Sequence, residues 1–433
     1  LTFVFNGGPG AASAYLHVGG VGPKIIEMND EGGVLKPPAR LKDNPDTWLS
    51  FTDLVFVDPV GTGFSRALDE IDKSEPFNEA DKDKKSEIKP SKEYYKLQKD
   101  LDSLGEFIAK YLSEHKRWSS PIFIAGESYG GFRVAKLMKL LQEGYGVGLN
   151  GAILISPCID WNALNSNDYD VLNWVTLYPS LVAAASFHGK SKAFKKGESF
   201  EKIIEESEKF AGGEMAMVLT QGDICSASDQ DKVWNKMSED LGLSKDLIAK
   251  CRGRISLMKF ARELLREDHL WTGLYDASIT SIDAFPDREN FESPDPTLFS
   301  IERVFCAGIN SLLREVLEVE CDRDYRLLNF EVNQVWQVDT KSHAFDLSVG
   351  GADDMRYAMV LNPFMKVSIV HGVYDLVTPY YSSKRIVDNM RLDPRIKDNL
   401  TMTNYGGGHM FYTWKDSREK FSRDMEKFFK SSL

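Results

Sequence analysis

Residues 122–131 read IFIAGESYGG, a short apolar run followed by Gly126-Glu127-Ser128-Tyr129-Gly130 and one more glycine. An apolar run of this length, rich in Ile and Phe, is typical of a buried strand in a parallel sheet. Apolar residues then recur at three- and four-residue steps between positions 134 and 141, which predicts a helix. Between a strand and a helix, Gly-x-Ser-x-Gly indicates a sharp turn that presents the serine hydroxyl at the carboxyl end of the sheet. We therefore expect Ser128 to be a nucleophile; the alternative is a structural turn serine.

Five further apolar runs surround this stretch, and most end in glycine-rich turns. They are residues 1–5 (LTFVF), 54–58 (LVFVD), 152–156 (AILIS), 367–370 (VSIV) and 400–404 (LTMTN). Helical patterns occur at residues 94–111 and 416–430. Alternation of strands and helices predicts an α/β protein with a mostly parallel, doubly wound sheet, as in the α/β-hydrolase fold.

The strand pattern stops near residue 157 and returns near residue 367. The segment between holds five of the eight tryptophans, so it should fold. Helical patterns at 244–251 and 255–265 indicate a mainly helical insertion. We expect a catalytic core of residues 1–158 and 357–433 and a cap of residues 159–356. Residues 69–93, rich in acids and lysines, should form a solvated loop.

Composition excludes several classes of function. The 433 residues carry a formal net charge of −12, which argues against nucleic acid as a partner, because phosphate binding needs a basic surface. No apolar run is long enough to cross a bilayer, so no membrane partner is expected. The five cysteines and scattered histidines lack the spacing of a metal site, and no metal or cofactor is predicted. Buried thiols are expected, although disulfides Cys225–Cys251 and Cys306–Cys321 remain open.

A nucleophilic serine needs a base and an acid that orients it. In α/β-hydrolases the chain order is Ser, then Asp or Glu, then His. Asp375 follows the run at 367–370, and His409 follows three glycines after the run at 400–404. Both should lie beside Ser128, where open α/β sheets place their sites. The other six histidines are expected to be structural.

An oxyanion hole should combine two backbone donors. One is the N–H of Tyr129, the residue after the nucleophile, and the other comes from a loop after an earlier strand. Residues 6–10 (NGGPG) form that loop, and Gly8 is the expected donor.

Several motifs together identify a family. They are FNGGPG (5–10), DPVGTGFS (58–65), GESYGG (126–131), GVYDLVTP (372–379) and GGGHM (406–410). With them the chain resembles the serine carboxypeptidases of peptidase family S10, most closely the bacterial branch. The resemblance implies a triad of Ser128, Asp375 and His409. It also implies that Asn6, Gly7 and Glu127 bind the terminal carboxylate of the substrate, a peptide with a free C-terminus.

The resemblance carries further expectations. Family members have strands ahead of the one at residues 1–5, so we expect a preceding segment that pairs with the sheet. Secretion or a periplasmic location is expected from the family, while the oligomeric state stays open. The predicted function is a serine-type carboxypeptidase that works through an acyl-enzyme. The alternatives are an esterase, acyltransferase or cyanohydrin-cleaving enzyme with the same triad, and a catalytically silent binding protein.

Overall fold

A central six-stranded sheet organises the protein. The computed structural model describes residues 1–68, 90–161, 167–288, 295–338 and 349–433, so most of the predicted charged loop lies outside the described residues. The sheet strands are β1 (Thr2–Phe5), β4 (Leu54–Phe56), β5 (Phe123–Glu127), β6 (Gly151–Ile155), β9 (Lys366–Gly372) and β10 (Leu400–Tyr405). Their spatial order is β10-β9-β6-β5-β1-β4, and every pairing is parallel. The predicted α/β-hydrolase fold class is confirmed.

Two short antiparallel hairpins lie outside this sheet. One joins β2 (Lys24–Ile26) to β3 (Leu41–Asp43), and the other joins β7 (Leu270–Thr272) to β8 (Thr280–Ile282). The second hairpin belongs to the region between β6 and β9, and the loop at its tip reaches the site described below.

Fourteen α-helices occur among the described residues. In chain order they are α1 (Ala14–Leu16), α2 (Leu97–Glu114), α3 (Tyr129–Gly144), α4 (Val171–Phe187), α5 (Phe200–Phe210), α6 (Ala216–Gln221), α7 (Ala227–Leu241), α8 (Lys245–Lys250), α9 (Leu257–Glu263), α10 (Leu298–Ser311), α11 (Phe330–Val335), α12 (Ala352–Leu361), α13 (Tyr380–Asn389) and α14 (Lys415–Ser431). None of them combines the length and the apolar character that a membrane span would need.

Helices cover both faces of the sheet, which is why its central strands are apolar on both sides. One face packs against apolar residues of α2, α3 and α12, and the other against those of α10 and α14. All five residues of β5 and of β6 are buried. This two-sided burial holds the carboxyl ends of the central strands in fixed positions, and the candidate site lies there.

The region between β6 and β9 is mainly helical, as predicted, and has a hydrophobic core of its own. That core joins α4 to α9 and extends to residues 373–380, just after β9. Helix α12 crosses position 357, where the sequence placed the boundary between cap and core. The division into core and cap therefore stays a prediction.

Candidate active site

Ser128 occupies a strained turn between β5 and α3. Its φ of 60° lies in the left-handed region, which is unusual for a residue other than glycine. The turn is tight enough to require glycine beside it: a Cβ on Gly126 would lie 2.1 Å from the carbonyl oxygen of Gly130. The Ser128 N–H donates to the carbonyl oxygen of Ile155 on β6 (2.9 Å). These constraints place the hydroxyl at the carboxyl end of the sheet, at the start of a helix.

Asp375 and His409 form a buried pair at the ends of β9 and β10. His409 Nδ1 donates to Asp375 Oδ2 across 2.6 Å. The other carboxylate oxygen accepts the N–H groups of Val377 (2.8 Å) and Thr378 (3.0 Å). The Thr378 hydroxyl lies 2.7 Å from Asp375 Oδ2. The bond at Nδ1 leaves Nε2 of His409 as the ring nitrogen that can accept a proton.

Opposing effects set the charges of this pair. Burial disfavours both charged forms, but the charge of His409 and several hydrogen bonds lower the pKa of Asp375 below its ordinary value. Burial likewise would lower the pKa of His409, yet the Asp375 carboxylate and the hydrogen bond to it raise that pKa overall. The ion pair therefore becomes stronger when His409 takes up a proton.

Ser128 and His409 line one cavity, together with Asn6, Gly8 and Glu127. Within the described ranges, however, no hydrogen bond joins the Ser128 hydroxyl to His409. The sequence predicts that His409 lies within hydrogen-bond reach of both Ser128 and Asp375, with allowance for a longer distance before substrate binds. Of these two contacts, the structure shows the one with Asp375. Catalytic hydrogen bonds are often long before substrate binds and shorten in the complex.

The loop of residues 6–10 lies against the nucleophile turn. A Cβ on Gly7 would lie 2.6 Å from the Tyr129 nitrogen and 2.9 Å from Ser128 Cβ, so only glycine permits this approach. Gly8 is exposed to the cavity. The Tyr129 N–H belongs to the first turn of α3, where no carbonyl of the helix can accept it. The loop of residues 6–10 and the start of α3 thus both lie beside Ser128, where their N–H groups are candidate oxyanion donors.

Glu127 is buried beside the nucleophile, and its two oxygens differ. Oε2 accepts a short hydrogen bond from Asn6 Nδ2 and one from the Tyr412 hydroxyl (2.8 Å). Oε1 is buried without a hydrogen-bond partner among the described residues. Burial raises the pKa of Glu127 to about 7, against the opposing effect of the His409 charge and these hydrogen bonds. Near neutral pH a large fraction of Glu127 is therefore protonated and can donate.

The family model for serine carboxypeptidases matches residues 1–422 of the chain. The chain belongs to the serine carboxypeptidase family. Serine carboxypeptidase-like 2 of Arabidopsis thaliana is 28% identical over 170 residues, which are 37% of this chain and 33% of that protein. The pheromone-processing carboxypeptidase kex1 of Aspergillus fumigatus is 28% identical over 212 residues, 46% of this chain and 26% of the relative.

These alignments to curated members of the serine carboxypeptidase family span about a third of the relatives' length or less. Among solved structures, the proline iminopeptidase of Mycobacterium smegmatis is 11% identical with a TM-score of 0.36, covering 100% of this chain and 90% of that one. MenH of Staphylococcus aureus is 12% identical with a TM-score of 0.33, covering 100% and 94%.

Some residues at this family site carry no individual signal in the sequence. Tyr412, which donates to Glu127, follows His409 in a stretch without a recognisable pattern. Arg133 on α3 forms a buried ion pair with Asp100 on α2 (2.7 Å) and donates to the Asn6 carbonyl oxygen (2.9 Å). An arginine within an apolar helix face signals a buried partner, but the sequence does not say which one. Thr378 lies in the motif at 372–379, although the motif alone does not reveal its contact with the aspartate.

Several residues near the site or in the cap are structural, as predicted for the histidines other than His409. His371 is fully buried, its Nε2 lies 2.9 Å from the Ser383 hydroxyl, and burial lowers its pKa to about 4. The cap aromatics Trp174, Tyr178 and Trp271 are buried and do not line the cavity. All five cysteines are free, so neither disulfide left open by the sequence forms. Within the described part of the chain, no group of three or more potential metal ligands occurs.

Proposed function

We propose that this protein is a serine-type carboxypeptidase that releases C-terminal residues from peptides through an acyl-enzyme. The observation that carries the proposal is the position of Glu127. Its Oε1, which has no hydrogen-bond partner among the described residues, belongs to a buried acid whose pKa is raised to about 7, in the same cavity as Ser128 and His409. A neutral carboxylic acid can donate to a carboxylate, and two acids that share a proton avoid the repulsion between two charges.

The residues around Glu127 support recognition of a chain end. Asn6 offers an amide next to the same acid, and Gly7 brings backbone into contact with the nucleophile turn. A substrate carboxylate bound by Asn6, Gly7 and Glu127 would place the last peptide bond near Ser128. Internal peptide bonds have no such carboxylate, so this arrangement favours exopeptidase action.

The chemical steps follow from the geometry. The Ser128 oxygen attacks the carbonyl carbon of the last peptide bond while its proton passes to His409 Nε2. The Gly8 and Tyr129 N–H groups donate hydrogen bonds to the carbonyl oxygen as negative charge develops on it. The C–N bond then breaks, and His409 returns the proton to the leaving amine. Water, activated by the same histidine, hydrolyses the ester on Ser128, and Asp375 holds the ring in one tautomer throughout.

A paired-substrate experiment tests the proposal. An N-terminally blocked dipeptide is supplied as the free acid and as its C-terminal amide, and kcat/KM is measured for each. We expect the acid to be hydrolysed far faster near and below neutral pH. Equal rates on the acid and the amide would refute recognition of a chain end, and activity on simple esters alone would favour an esterase or acyltransferase. A fluorophosphonate that fails to label Ser128 would favour a binding protein, because an unactivated serine does not react.

A further inference from the structure

One segment of the cap contacts the loops on both sides of the acid–base pair. We call residues 274–277 the cap strap; they lie in the loop between β7 and β8. The Ala277 N–H donates to the Tyr374 carbonyl oxygen (2.9 Å), and the Leu376 N–H donates to the Leu274 carbonyl oxygen (3.1 Å). The strap therefore holds the residue before Asp375 and the residue after it.

The same strap holds the histidine loop, residues 406–409. The His409 N–H donates to the Tyr275 carbonyl oxygen, and the Gly408 N–H donates to Asp276 Oδ2 (2.9 Å). The Tyr275 ring meets the His409 ring edge to face at 5.3 Å and lines the cavity. The approach is close: a Cβ on Gly408 would lie 2.2 Å from the Tyr275 oxygen. Four hydrogen bonds from one short segment thus fix the backbone of both catalytic loops.

Asp276 contributes the one hydrogen bond between the strap and the catalytic loops that uses a side chain of the strap; the other three join backbone groups. It is 6% exposed and accepts four hydrogen bonds. Oδ1 accepts from the N–H (3.0 Å) and the hydroxyl of Ser278, while Oδ2 accepts from Gly408 and from Trp414 Nε1 (3.2 Å). No lysine, arginine or histidine pairs with it in the part of the chain that the structure describes. A buried carboxylate without a cation must be held by directed donors.

Other residues of the cap also form hydrogen bonds with the strap. The N–H of Leu274 donates to Asp295 Oδ2 (2.8 Å), and the N–H of Tyr275 donates to the Thr297 hydroxyl (3.2 Å). His188, at the end of α4, contacts the Ala277 carbonyl oxygen through Nε2 (2.7 Å). These bonds connect the strap to α4 and to the segment before α10, and none of them involves a catalytic loop.

We propose that Asp276 is a positioning residue, through which the cap sets the distance and orientation of the Asp375–His409 pair. This role rests on the proposed function above. Asp276 touches no reacting atom; it acts through the Gly408 backbone. Misplacement of a catalytic group by about 1 Å can cost about 100-fold in rate, so the loss of this anchor should lower kcat. Substrate binding depends on Asn6 and Glu127, so KM should change little.

Asp276→Asn is the test variant. An amide has a single acceptor oxygen, so its NH₂ group must face either the Ser278 N–H or the donors of Gly408 and Trp414. The matched control is Asp283→Asn. Asp283 is equally buried (5% exposed), follows β8 in the same hairpin and binds Arg262, but it contacts neither catalytic loop. Both variants remove a buried carboxylate of the cap.

We expect Asp276→Asn to lower kcat about 10- to 100-fold with KM within about threefold of the parent. The rate of fluorophosphonate labelling should fall in parallel. The downfield proton resonance of the His409 Nδ1–Asp375 hydrogen bond should shift or broaden in Asp276→Asn and persist unchanged in Asp283→Asn. A purely structural role of Asp276 would lower stability without moving this resonance or separating kcat from KM.

Two results would overturn the proposal: a folded Asp276→Asn protein with parental kcat, labelling rate and resonance, or equal losses in both variants. If Asp276→Asn does not fold, Ser278→Ala replaces it, because it removes one donor to the same carboxylate. A several-fold loss of kcat in that variant supports the role, and an unchanged kcat refutes it. If the parent hydrolyses no peptide, the proposed function fails, while the resonance still tests the positioning role.

Discussion

Replacing Glu127 with glutamine separates the recognition of a chain end from the chemistry at Ser128. In the parent, the Glu127 pKa is about 7, so the acid loses its proton near neutral pH. An ionised Glu127 repels a substrate carboxylate, and binding should weaken as the pH rises through that value. His409 must be neutral to accept the serine proton, so activity should also fall at low pH. For a free-acid peptide, kcat/KM should therefore give a bell-shaped pH profile.

Glutamine can make the same hydrogen bonds as protonated Glu127, but it does not ionise as the pH rises. Its carbonyl oxygen can accept from Asn6 and Tyr412 as Oε2 does now, and its NH₂ group takes the place of Oε1, which has no hydrogen-bond partner among the described residues. In Glu127→Gln, the fall in kcat/KM at high pH should disappear. The fall at low pH should move to lower pH, because the Glu127 charge helps to raise the His409 pKa. A peptide amide should be a poor substrate for both proteins at every pH.

The pKa also predicts a change in stability. The pKa of an ordinary glutamate is 4.5, whereas the pKa of Glu127 in the folded protein is about 7. Between these values the folded state binds more protons than the unfolded state, so the free energy of unfolding falls as the pH rises and stays low above 7. The difference corresponds to roughly 3 kcal/mol. Urea unfolding of Glu127→Gln should lack this decrease.

Glu208→Gln is the matched control. Glu208 on α5 is also a glutamate whose pKa burial raises, and it also accepts from a tyrosine hydroxyl, that of Tyr380 (2.9 Å), but it lies away from the cavity. Its variant should keep the parental alkaline limb. If Glu127→Gln shows the same alkaline limb as the parent, another group titrates there, and Glu127 only braces the nucleophile turn.

Three further predictions concern the catalytic loops. Ser128→Ala and His409→Ala should each lower kcat by several orders of magnitude with the fold intact, and near-native turnover in either would refute the triad. Asp375→Asn should lower kcat about 10³- to 10⁴-fold, because the amide can stabilise the wrong tautomer of the ring; single-turnover kinetics at saturating substrate would show it. Gly408→Ala should lower stability by about 1–3 kcal/mol in thermal unfolding, since its Cβ would clash with the cap strap. Gly406→Ala should not, because the nearest atom to its Cβ would be 3.6 Å away, an ordinary contact distance.

The six strands could be predicted because each is a short, mostly apolar run with a defined end. The predicted runs and the observed strands agree to within two residues at every boundary; the largest differences, two residues each, are at the ends of β4, β5 and β9. A glycine follows within three residues of five of the six runs, and Pro157 follows the other. A strand that leads into a tight turn or a close backbone approach needs glycine there, and the sequence shows it directly.

The contributions of the cap could not be predicted in the same way. Tyr275 and Asp276 lie about a hundred residues from Asp375 in sequence, in a loop with no periodic pattern. Their positions depend on how the hairpin β7–β8 packs on the ends of β9 and β10, which is a long-range property. The contact of Tyr412 with Glu127 could not be predicted for the same reason. Sequence patterns identify the residues that perform chemistry, whereas the residues that hold them are defined by packing.

Sheet order explains why such support is needed. Asp375 and His409 follow the adjacent strands β9 and β10, so strand pairing alone brings them together. Ser128 follows β5, and β6 separates it from β9. The end of β6 fills this gap with Ser156, at a φ of 41°. Its hydroxyl donates to the His409 carbonyl oxygen (2.7 Å), and its own carbonyl oxygen accepts from Thr378 (3.0 Å).

The histidine loop is therefore held by two separate parts of the protein, Ser156 at the end of β6 and the cap strap. The strap bonds to the N–H groups of Gly408 and His409, and Ser156 bonds to the carbonyl oxygen of His409, so both peptide groups of the histidine are held. The ring itself is held by the hydrogen bond from Nδ1 to Asp375 Oδ2 (2.6 Å). Backbone and ring are thus restrained together, so the position of His409 relative to Asp375 is fixed by β6, β9 and the cap as well as by its own strand.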